Sequence, residues 1–500
     1  MLNYQSRHLF GDITAGIIVA SLLIPQSMAY ALLAGLPPQV GLYASIAPAI
    51  IYPLLGTSRV LAVGPVAVDS LMVGAAIAPL APSDTAQYMA LAITLAFLVG
   101  LLELSMGALR LGFLVNFLSR SVISGFISGA AVIIAFSQVK HLFGLAIPST
   151  ESFFRLIALI ISNLPQTNGA ALALGLCSLG LLLYFNGPLV KLLQRLGWSE
   201  QKILPVSKSA PLLVVILGML VVWGFHLDQA AGIKIVGDIP RGLPAFTVPV
   251  LDVKTLQELL PAALAIALVG YMEGFAGGQA LANKRREKID ANQELVAFGA
   301  ANLGAAFTGG YPVTGGLSRS VVNFAAGANT GLSSIITGLL IAVTVMFLTA
   351  LFYFLPQACL AAIIITAVYK LIDFATLKRM WAYDKADGLA WLVTFFTVLA
   401  LGVEKGIILG ALIALGLHLW RTSHPHIAIV GRVGDSEHFR NQLRHSVKTS
   451  PDVLAVRMDE SLYFANAKYL ENFLSQAIAD RLDIKSVLLV CSAINVIDAS

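Results

Sequence analysis

The chain has 500 residues, 57% of them hydrophobic and only 12% charged, with a mean hydropathy of +0.83. Soluble domains carry about 25% charged side chains, so this composition excludes an ordinary soluble enzyme, a disordered scaffold and a nucleic-acid binder that relies on phosphate neutralisation. The net charge of +5 says little until the charges are placed along the chain, and Cys177, Cys359 and Cys491 outline neither a disulfide framework nor a zinc site.

A short polar lead, Asn3 to His8, precedes the first apolar run with no cleavable signal in view. A helix needs about 20 apolar residues to cross a bilayer core. Runs that qualify begin near residues 12, 41, 64, 86, 116, 169, 206, 259, 292, 317, 331, 356, 387 and 404. About fourteen transmembrane segments follow, and the fold class is an all-α polytopic membrane protein. Cytoplasmic loops carry the excess of Lys and Arg. With a cytoplasmic N-terminus, that side receives 17 such residues, among them the group Lys191, Arg195, Lys202 and Lys208, the run Lys284, Arg285, Arg286 and Lys288, and Lys378 to Lys385. The other side receives 6: Lys140, Arg155, Lys234, Arg241, Lys254 and Lys405. Both termini are therefore expected in the cytoplasm.

After Arg421 the composition turns charged and mixed. Val453–Val456 and Val487–Val490 read as short buried strands, and Ala467 to Leu482 between them carries apolar residues at helical spacing. A small cytoplasmic α/β domain is expected over 423–500, stopping inside its own fold at Asp498-Ala499-Ser500, behind a transmembrane domain over 1–422.

Paired short segments broken by Gly or Pro mark the binding site in transporters built from inverted repeats. Gly64-Pro65-Val66-Ala67-Val68 and Gly310-Tyr311-Pro312-Val313-Thr314-Gly315-Gly316 form such a pair. Aligning their prolines gives an offset of 312 − 65 = 247, which also sets Gln26 opposite Glu273. Seven segments fall on each side of the boundary, so the second half is inverted: repeat 1 covers about 10–228 and repeat 2 about 257–422. The competing reading is that Pro and Gly only kink ordinary membrane helices.

A helix that starts in mid-membrane offers free N–H groups and about half a positive charge. Two such ends facing each other make an anion site without any cation. Arg319 lies one turn into the second broken helix, where a basic residue is expensive and functional by default, unless it simply pairs with Glu273 or Asp69. Glu273, set among Gly270, Gly274, Gly277 and Gly278, is a candidate for carrying a coupling proton or for neutralising Arg319. Asp69 lies one turn into the first broken helix and is a second cation-coupling candidate. Gln26, Tyr30 and Ser318 offer neutral hydrogen bonds to an oxyanion, although such residues also serve as packing glue. Gly125/Gly129 and Gly406/Gly410 read as close-packing faces. There is no phosphate-binding GxxxxGK[ST] loop and no HExxH, and His424-Pro425-His426 reads as a turn, so an enzyme is not expected.

These residues resemble the SulP sulfate permeases and related anion transporters. The resemblance is carried by Ile24-Pro25-Gln26-Ser27-Met28-Ala29-Tyr30-Ala31, by Ala34-Gly35-Leu36-Pro37-Pro38 through Gly41-Leu42-Tyr43, and by Gly56-Thr57-Ser58-Arg59. Gly64 to Val68 and Pro312 to Ser320 continue it, and the tail resembles a STAS domain truncated in its second half. It implies a seven-plus-seven inverted fold with a moving core, a fixed gate and elevator-type alternating access. It also implies an anion between half-helices 3 and 10, touched by Gln26, Tyr30, the backbone at Val66 and Ala67, Ser318 and Arg319. Glu273 matches the acid that the family associates with proton or sodium coupling. Relatives often have Ser where this chain has Gly316, and apolar residues where it has Asp69.

The expected function is secondary active transport of a small inorganic anion, sulfate with H⁺, across the cell inner (plasma) membrane. No cofactor beyond the coupling ion, H⁺ or Na⁺, is expected. The expected partners are the anion, membrane lipid and a second copy in a homodimer, with no nucleic acid. Na⁺-coupled bicarbonate or dicarboxylate transport and a passive anion channel are the alternatives.

Overall fold

The computed structural model describes all residues except 1–5, 82–83, 117–119, 148–151, 200–202, 204–205, 208 and 482. Part of the polar lead, Lys202 and Lys208 of one basic group, and Leu482 at the expected end of the last helix thus lie outside the described residues. The chain forms two compact units, Met1–Gly410 and Ala411–Ser500.

Counting described helices of eight residues or more, the first half contains α1 (Leu9–Leu33), α2 (Pro38–Leu55), α3 (Ala67–Ile77), α4 (Thr85–Ala108), α5 (Arg120–Leu142), α6 (Phe153–Asn163), α7 (Gly169–Asn186), α8 (Pro188–Arg195) and α9 (Ala210–Phe225). The second half contains α10 (Val253–Arg285), α11 (Ala291–Phe307), α12 (Leu317–Ala325), α13 (Leu332–Val343), α14 (Gln357–Val368), α15 (Phe374–Tyr383), α16 (Lys385–Leu401) and α17 (Val403–Ser423). Each expected segment meets one of these helices within two turns of its start; α6, α8 and α15 are extra short helices between them. Eight helical stretches among the described residues are long and apolar enough to cross a membrane. Their outward side chains, such as Leu101, Leu176, Leu264 and Phe347, are exposed in large number, as lipid-facing surfaces require. Several helices begin at a side-chain cap: Asp84, Asn168, Asp252, Asp290 and Asp384 each accept hydrogen bonds from first-turn N–H groups.

Helix pairing follows the two-fold logic of the repeat. α1 packs on α13, and its counterpart α10 packs on α4; α5 packs on α16, and its counterpart α14 on α7. Small residues set these distances. A Cβ on Gly100 of α4 would stand 2.8 Å from the Gly299 carbonyl oxygen on α11, so the two backbones are in contact there. The Gly125/Gly129 and Gly406/Gly410 pairs both close on α16, where added Cβ atoms would meet the Trp391 carbonyl oxygen at 2.5 Å and Val398 at 2.4 Å, respectively. The single offset of 247 holds for α4 and α13 (332 − 85 = 247), but the broken helices start 317 − 67 = 250 apart. Loops of unequal length shift the register, so the pairing of Gln26 with Glu273 is approximate.

Two buried acids tie the halves together. Asp12 of α1 accepts from Asn329 N–H (2.6 Å), Thr330 N–H (3.0 Å) and the Thr330 hydroxyl (2.7 Å), just before α13. Reciprocally, Glu294 of α11 accepts from the Tyr52 hydroxyl (2.6 Å), from Thr57 N–H and hydroxyl (2.6 and 2.7 Å) and from Ser58 N–H (3.2 Å), just after α2.

The second unit holds a four-stranded sheet in the order β4-β3-β5-β6, numbered after the two-strand pair β1–β2 described below. It comprises β3 (Ile427–Arg432), β4 (Phe439–Asn441), β5 (Val453–Met458) and β6 (Ser486–Val490). α18 (Ala467–Ala479) connects β5 to β6, which run parallel, as the strand–helix–strand pattern requires. β3 and β4 are antiparallel additions that the sequence reading left out. Asp498 shapes the chain around it, accepting from Ser500 N–H and Phe464 N–H, both at 2.8 Å.

Glu294→Ala strips four charge-assisted hydrogen bonds from a fully buried site. It should cost about 2–4 kcal/mol of stability, read as a fall in melting temperature of the detergent-solubilised chain. Gly180→Ala, which meets nothing within 4 Å, should leave that temperature unchanged.

Candidate functional site

The centre of the first unit is a crossing of two non-helical segments. β1 (Val63–Gly64) pairs with β2 (Thr314–Gly315) antiparallel, Val63 opposite Gly315 and Gly64 opposite Thr314. α3 starts three residues after β1 and α12 two residues after β2. Antiparallel pairing therefore sends the two helices away from one point in opposite directions. Their lengths, 11 and 9 residues, amount to about 16 and 14 Å, half of a bilayer core. The N-cap residues, Val66 and Gly316, are extended and contribute no side-chain cap. The first-turn N–H groups of both helices are thus left for a ligand, in contrast to the Asp-capped starts elsewhere.

Side chains of α12 hold the stretch that leads into α3. Asn323 Nδ2 donates to Val60 O at 2.9 Å, and Ala62 N–H donates to the Ser320 hydroxyl at 2.9 Å. Arg319 donates through Nη1 to Pro65 O at 2.5 Å and through Nη2 to Gly64 O at 3.0 Å. Among the described residues no ion pair joins Arg319 to Glu273 or Asp69; its fork is spent on backbone carbonyls, and Nε stays buried without a partner. A Cβ on Gly316 would stand 2.7 Å from Arg319 Cζ. The absence of a side chain at Gly316 therefore leaves room for the guanidinium.

The expected contact residues gather here. Gln26 and Tyr30 on α1 are buried, as are Val66 and Ala67 at the start of α3, and Arg319 is 2% exposed. Ser318, by contrast, is exposed, one residue into α12. Among the described residues, the side chains of Gln26, Tyr30 and Ser318 make no hydrogen bond to other protein groups. Buried polar groups are normally satisfied, so Gln26 and Tyr30 are free to take a ligand's oxygens, while the exposed Ser318 hydroxyl is open to any neighbour.

The acids lie behind this surface. Asp69, the third residue of α3, is 1% exposed with both carboxyl oxygens buried and without partners. Its Oδ2 lies over Gly270 of α10, 3.0 Å from where a Cβ would stand, with Thr314 beside it. Glu273, one turn further along α10, is half-buried, with Oε2 likewise unpartnered and within electrostatic reach of Arg319. The glycines of α10 let β2 cross it, since a Cβ on Gly274 would stand 2.9 Å from Thr314 Oγ1.

Sequence reasoning missed Glu103 on α4 and Asn302 on α11. Glu103 is 1% exposed and accepts from Asn302 Nδ2 at 2.8 Å. Asn302 also accepts from Val313 N–H (2.8 Å) and donates to Val313 O (3.0 Å), which fixes the approach to β2. A lone acid between Leu102 and Leu104 was the available signal. Tyr311 joins the network through its hydroxyl, 3.0 Å from that of Ser70 on α3.

Arg319→Ala should weaken binding of a small oxyanion by about 2–4 kcal/mol, measured by calorimetric titration of the purified chain. Lys should restore only part of this, because it lacks the planar fork that spans two acceptors. Gly316→Ala, which displaces the guanidinium, should lose part of the same affinity and add little in the Arg319→Ala background.

Residues 9–394 match the Sulfate permease family and residues 444–500 match the STAS domain. The chain is 37% identical over 466 residues to sulfate transporter 4.1, chloroplastic, of Arabidopsis thaliana, covering 93% of this chain and 66% of that one. It is also 37% identical over 479 residues to sulfate transporter 3.1 of the same plant, covering 93% and 70%. It thus spans about two thirds of the length of these curated relatives. The murine Solute Carrier 26 family member A9 anion transporter, solved in the inward-facing state, superposes with a TM-score of 0.90 at 27% identity, covering 100% of this chain and 83% of that one. The transmembrane domain of a cyanobacterial bicarbonate transporter shares the fold, with a TM-score of 0.68 at 23% identity over 83% of this chain and 99% of that one. On the strength of its central crossing, its helix order and these matches, the chain belongs to the sulfate permease family and carries a STAS domain in its second unit.

Proposed function

We propose that this protein is a secondary active transporter of a small inorganic anion, with sulfate moved together with H⁺. The observation that carries this reading is the pair of uncapped helix N-termini at the β1–β2 crossing, with Gln26, Tyr30 and Ser318 unpartnered around them and Arg319 behind. Two partial positive charges and fixed N–H donors favour an oxyanion at that point. Arg319 adds a full charge while it braces the backbone that holds one of the two ends. The names of the plant relatives support sulfate as the substrate. The anion would move with the core helices α1–α4 and α10–α13 against a gate of α5–α9 and α14–α17, in an elevator-type cycle. On this reading residues 1–422 form the transport domain and 423–500 the cytoplasmic domain, the chain pairs as a homodimer in the cell's inner membrane, and both termini are cytoplasmic.

Coupling is assigned to Glu273, with Asp69 as a second candidate. An anion beside Arg319 makes a proton on a nearby carboxyl more favourable, and by linkage each strengthens the other's binding equally. Glu273→Gln mimics the protonated acid, so anion binding and exchange should survive. Uphill [³⁵S]sulfate uptake into proteoliposomes driven by a pH gradient should vanish. If the variant still accumulates sulfate with wild-type pH dependence, Glu273 only neutralises Arg319. Competition by bicarbonate or succinate in the same assay tests the Na⁺-coupled alternatives, and absence of uphill uptake in the wild type would make the protein a channel.

Orientation is tested by single cysteines in the loops around Lys284–Lys288 and Lys378–Lys385. They should resist impermeant thiol reagents in intact cells, and labelling from outside would reverse the assignment.

A further inference from the structure

Among the described residues, Asp69 is the one acid with both oxygens of a buried carboxyl unpartnered. It is the third residue of α3 and 1% exposed. A carboxyl so near an uncapped helix start ordinarily bends back to the free N–H groups of the first turn. Here it crosses to α10 instead, where Oδ2 stands 3.0 Å from the Cβ position of Gly270.

Its surroundings offer no donor. The Thr314 hydroxyl beside it gives its hydrogen to Gly270 O at 2.5 Å, and the Ser70 hydroxyl gives its own to Val66 O at 2.6 Å. Arg319 spends Nη1 and Nη2 on the carbonyls of Pro65 and Gly64. The other titratable groups around the start of α3 are Glu273 on α10, Glu103 on α4, Tyr30 on α1 and Tyr311 ahead of β2. Glu103 is bonded to Asn302 and Tyr311 to Ser70, while α5 carries charge only at its two ends. Among the described residues no three acidic, His or Cys side chains converge as a metal site needs. The packing of Oδ2 against the face of α10 leaves a proton as the cation that fits.

The helix start links this proton to the anion. With no anion bound, the partial positive charge at the N-terminus of α3 sustains a carboxylate two residues further in. An anion seated at Val66 and Ala67 cancels that charge and adds its own, and a buried carboxylate without a donor then takes up a proton. Glu273, three residues beyond Gly270, lies on the same face of α10 and is the more exposed of the two acids. It is the route by which a proton reaches Asp69 and leaves it.

We propose that Asp69 is a second proton site, and that each divalent oxyanion moves with two protons, one on Glu273 and one on Asp69. This rests on the reading of Glu273 as the coupling acid and adds the stoichiometry. A dianion with two protons carries no net charge across the membrane. With Glu273 alone, one negative charge would cross in every cycle.

The test is the balance point of the full chain in proteoliposomes, with the membrane potential clamped at zero by valinomycin and equal potassium. The quantity read is the pH gradient that just stops net flux of labelled sulfate down its own gradient. For a sulfate gradient of about tenfold, two protons balance it with about half a pH unit and one proton needs about a full unit. The wild type should balance at the smaller pH gradient, and its uptake rate should not respond to an imposed membrane potential. Asp69→Asn, a neutral stand-in for the protonated acid, should balance at the larger one, and an inside-positive potential should speed its uptake. A wild type that balances at the larger gradient overturns the second site without any variant having to fold. A balance point that Asp69→Asn leaves unchanged does the same. Failure of proton coupling itself looks different: a wild type with no balance point at any pH gradient overturns both readings.

Discussion

Inside a membrane, backbone that is neither helix nor closed sheet has nowhere to find water, so its N–H and C=O groups must be met by other protein groups. The stretch Val60–Pro65 is such backbone, and nearly everything at the centre of this protein answers that demand. Two residues pair with β2, and Asn323, Ser320 and Arg319 take the carbonyls and N–H groups on either side. The half-helix that follows begins in mid-membrane only because its lead-in is held in this way. The ligand-ready N–H groups of α3 are therefore a product of how α12 satisfies the backbone before them. The candidate site and its scaffold share the same side chains, Arg319 among them.

The rest of the support comes from within the second half itself, through one amide. Asn302 grips Val313 through both its N–H and its C=O and presents its remaining donor to Glu103. β2 is thus fixed from the α11 side as β1 is fixed from the α12 side. Glycines on α10 make room for the crossing, and Gly316 makes room for the guanidinium.

Much of this was legible before the structure, because long apolar runs and the paired Pro–Gly breaks are coarse, strong signals. The segment starts and the two half-helices follow from them, whereas the grouping of Gln26, Tyr30, Val66, Ala67 and Arg319 is what the resemblance to the sulfate permeases implied. What was not legible depends on side-chain direction. Nothing in the spacing says that the Arg319 fork points at Gly64 and Pro65 carbonyls rather than at an acid. Nor does it say that Ser318, its neighbour, is exposed. Glu103 was visible as an acid inside an apolar run, but its partner Asn302 is 199 positions away, and only the fold joins them. β4 escaped because a three-residue edge strand in a charged segment lacks the continuous apolar run that marked β5 and β6, whereas β3, between β4 and β5, carries such a run at Ile427–Val430 and was readable in the sequence.

The reciprocal ties of Asp12 and Glu294 bear on how such a chain is made. Synthesis delivers the loop after α2 more than two hundred residues before the carboxylate that satisfies its N–H groups, since Glu294 and Thr57 are 237 positions apart. Asp12 waits still longer, 318 positions, for Thr330. The first half leaves the ribosome with a buried acid unmatched and a loop unsatisfied, and it holds that debt until the second half has been inserted. Assembly of the two halves is then the step that commits the chain. A quality-control protease that reads loose loops at the membrane surface would find its target in half-made chains and lose it in finished ones.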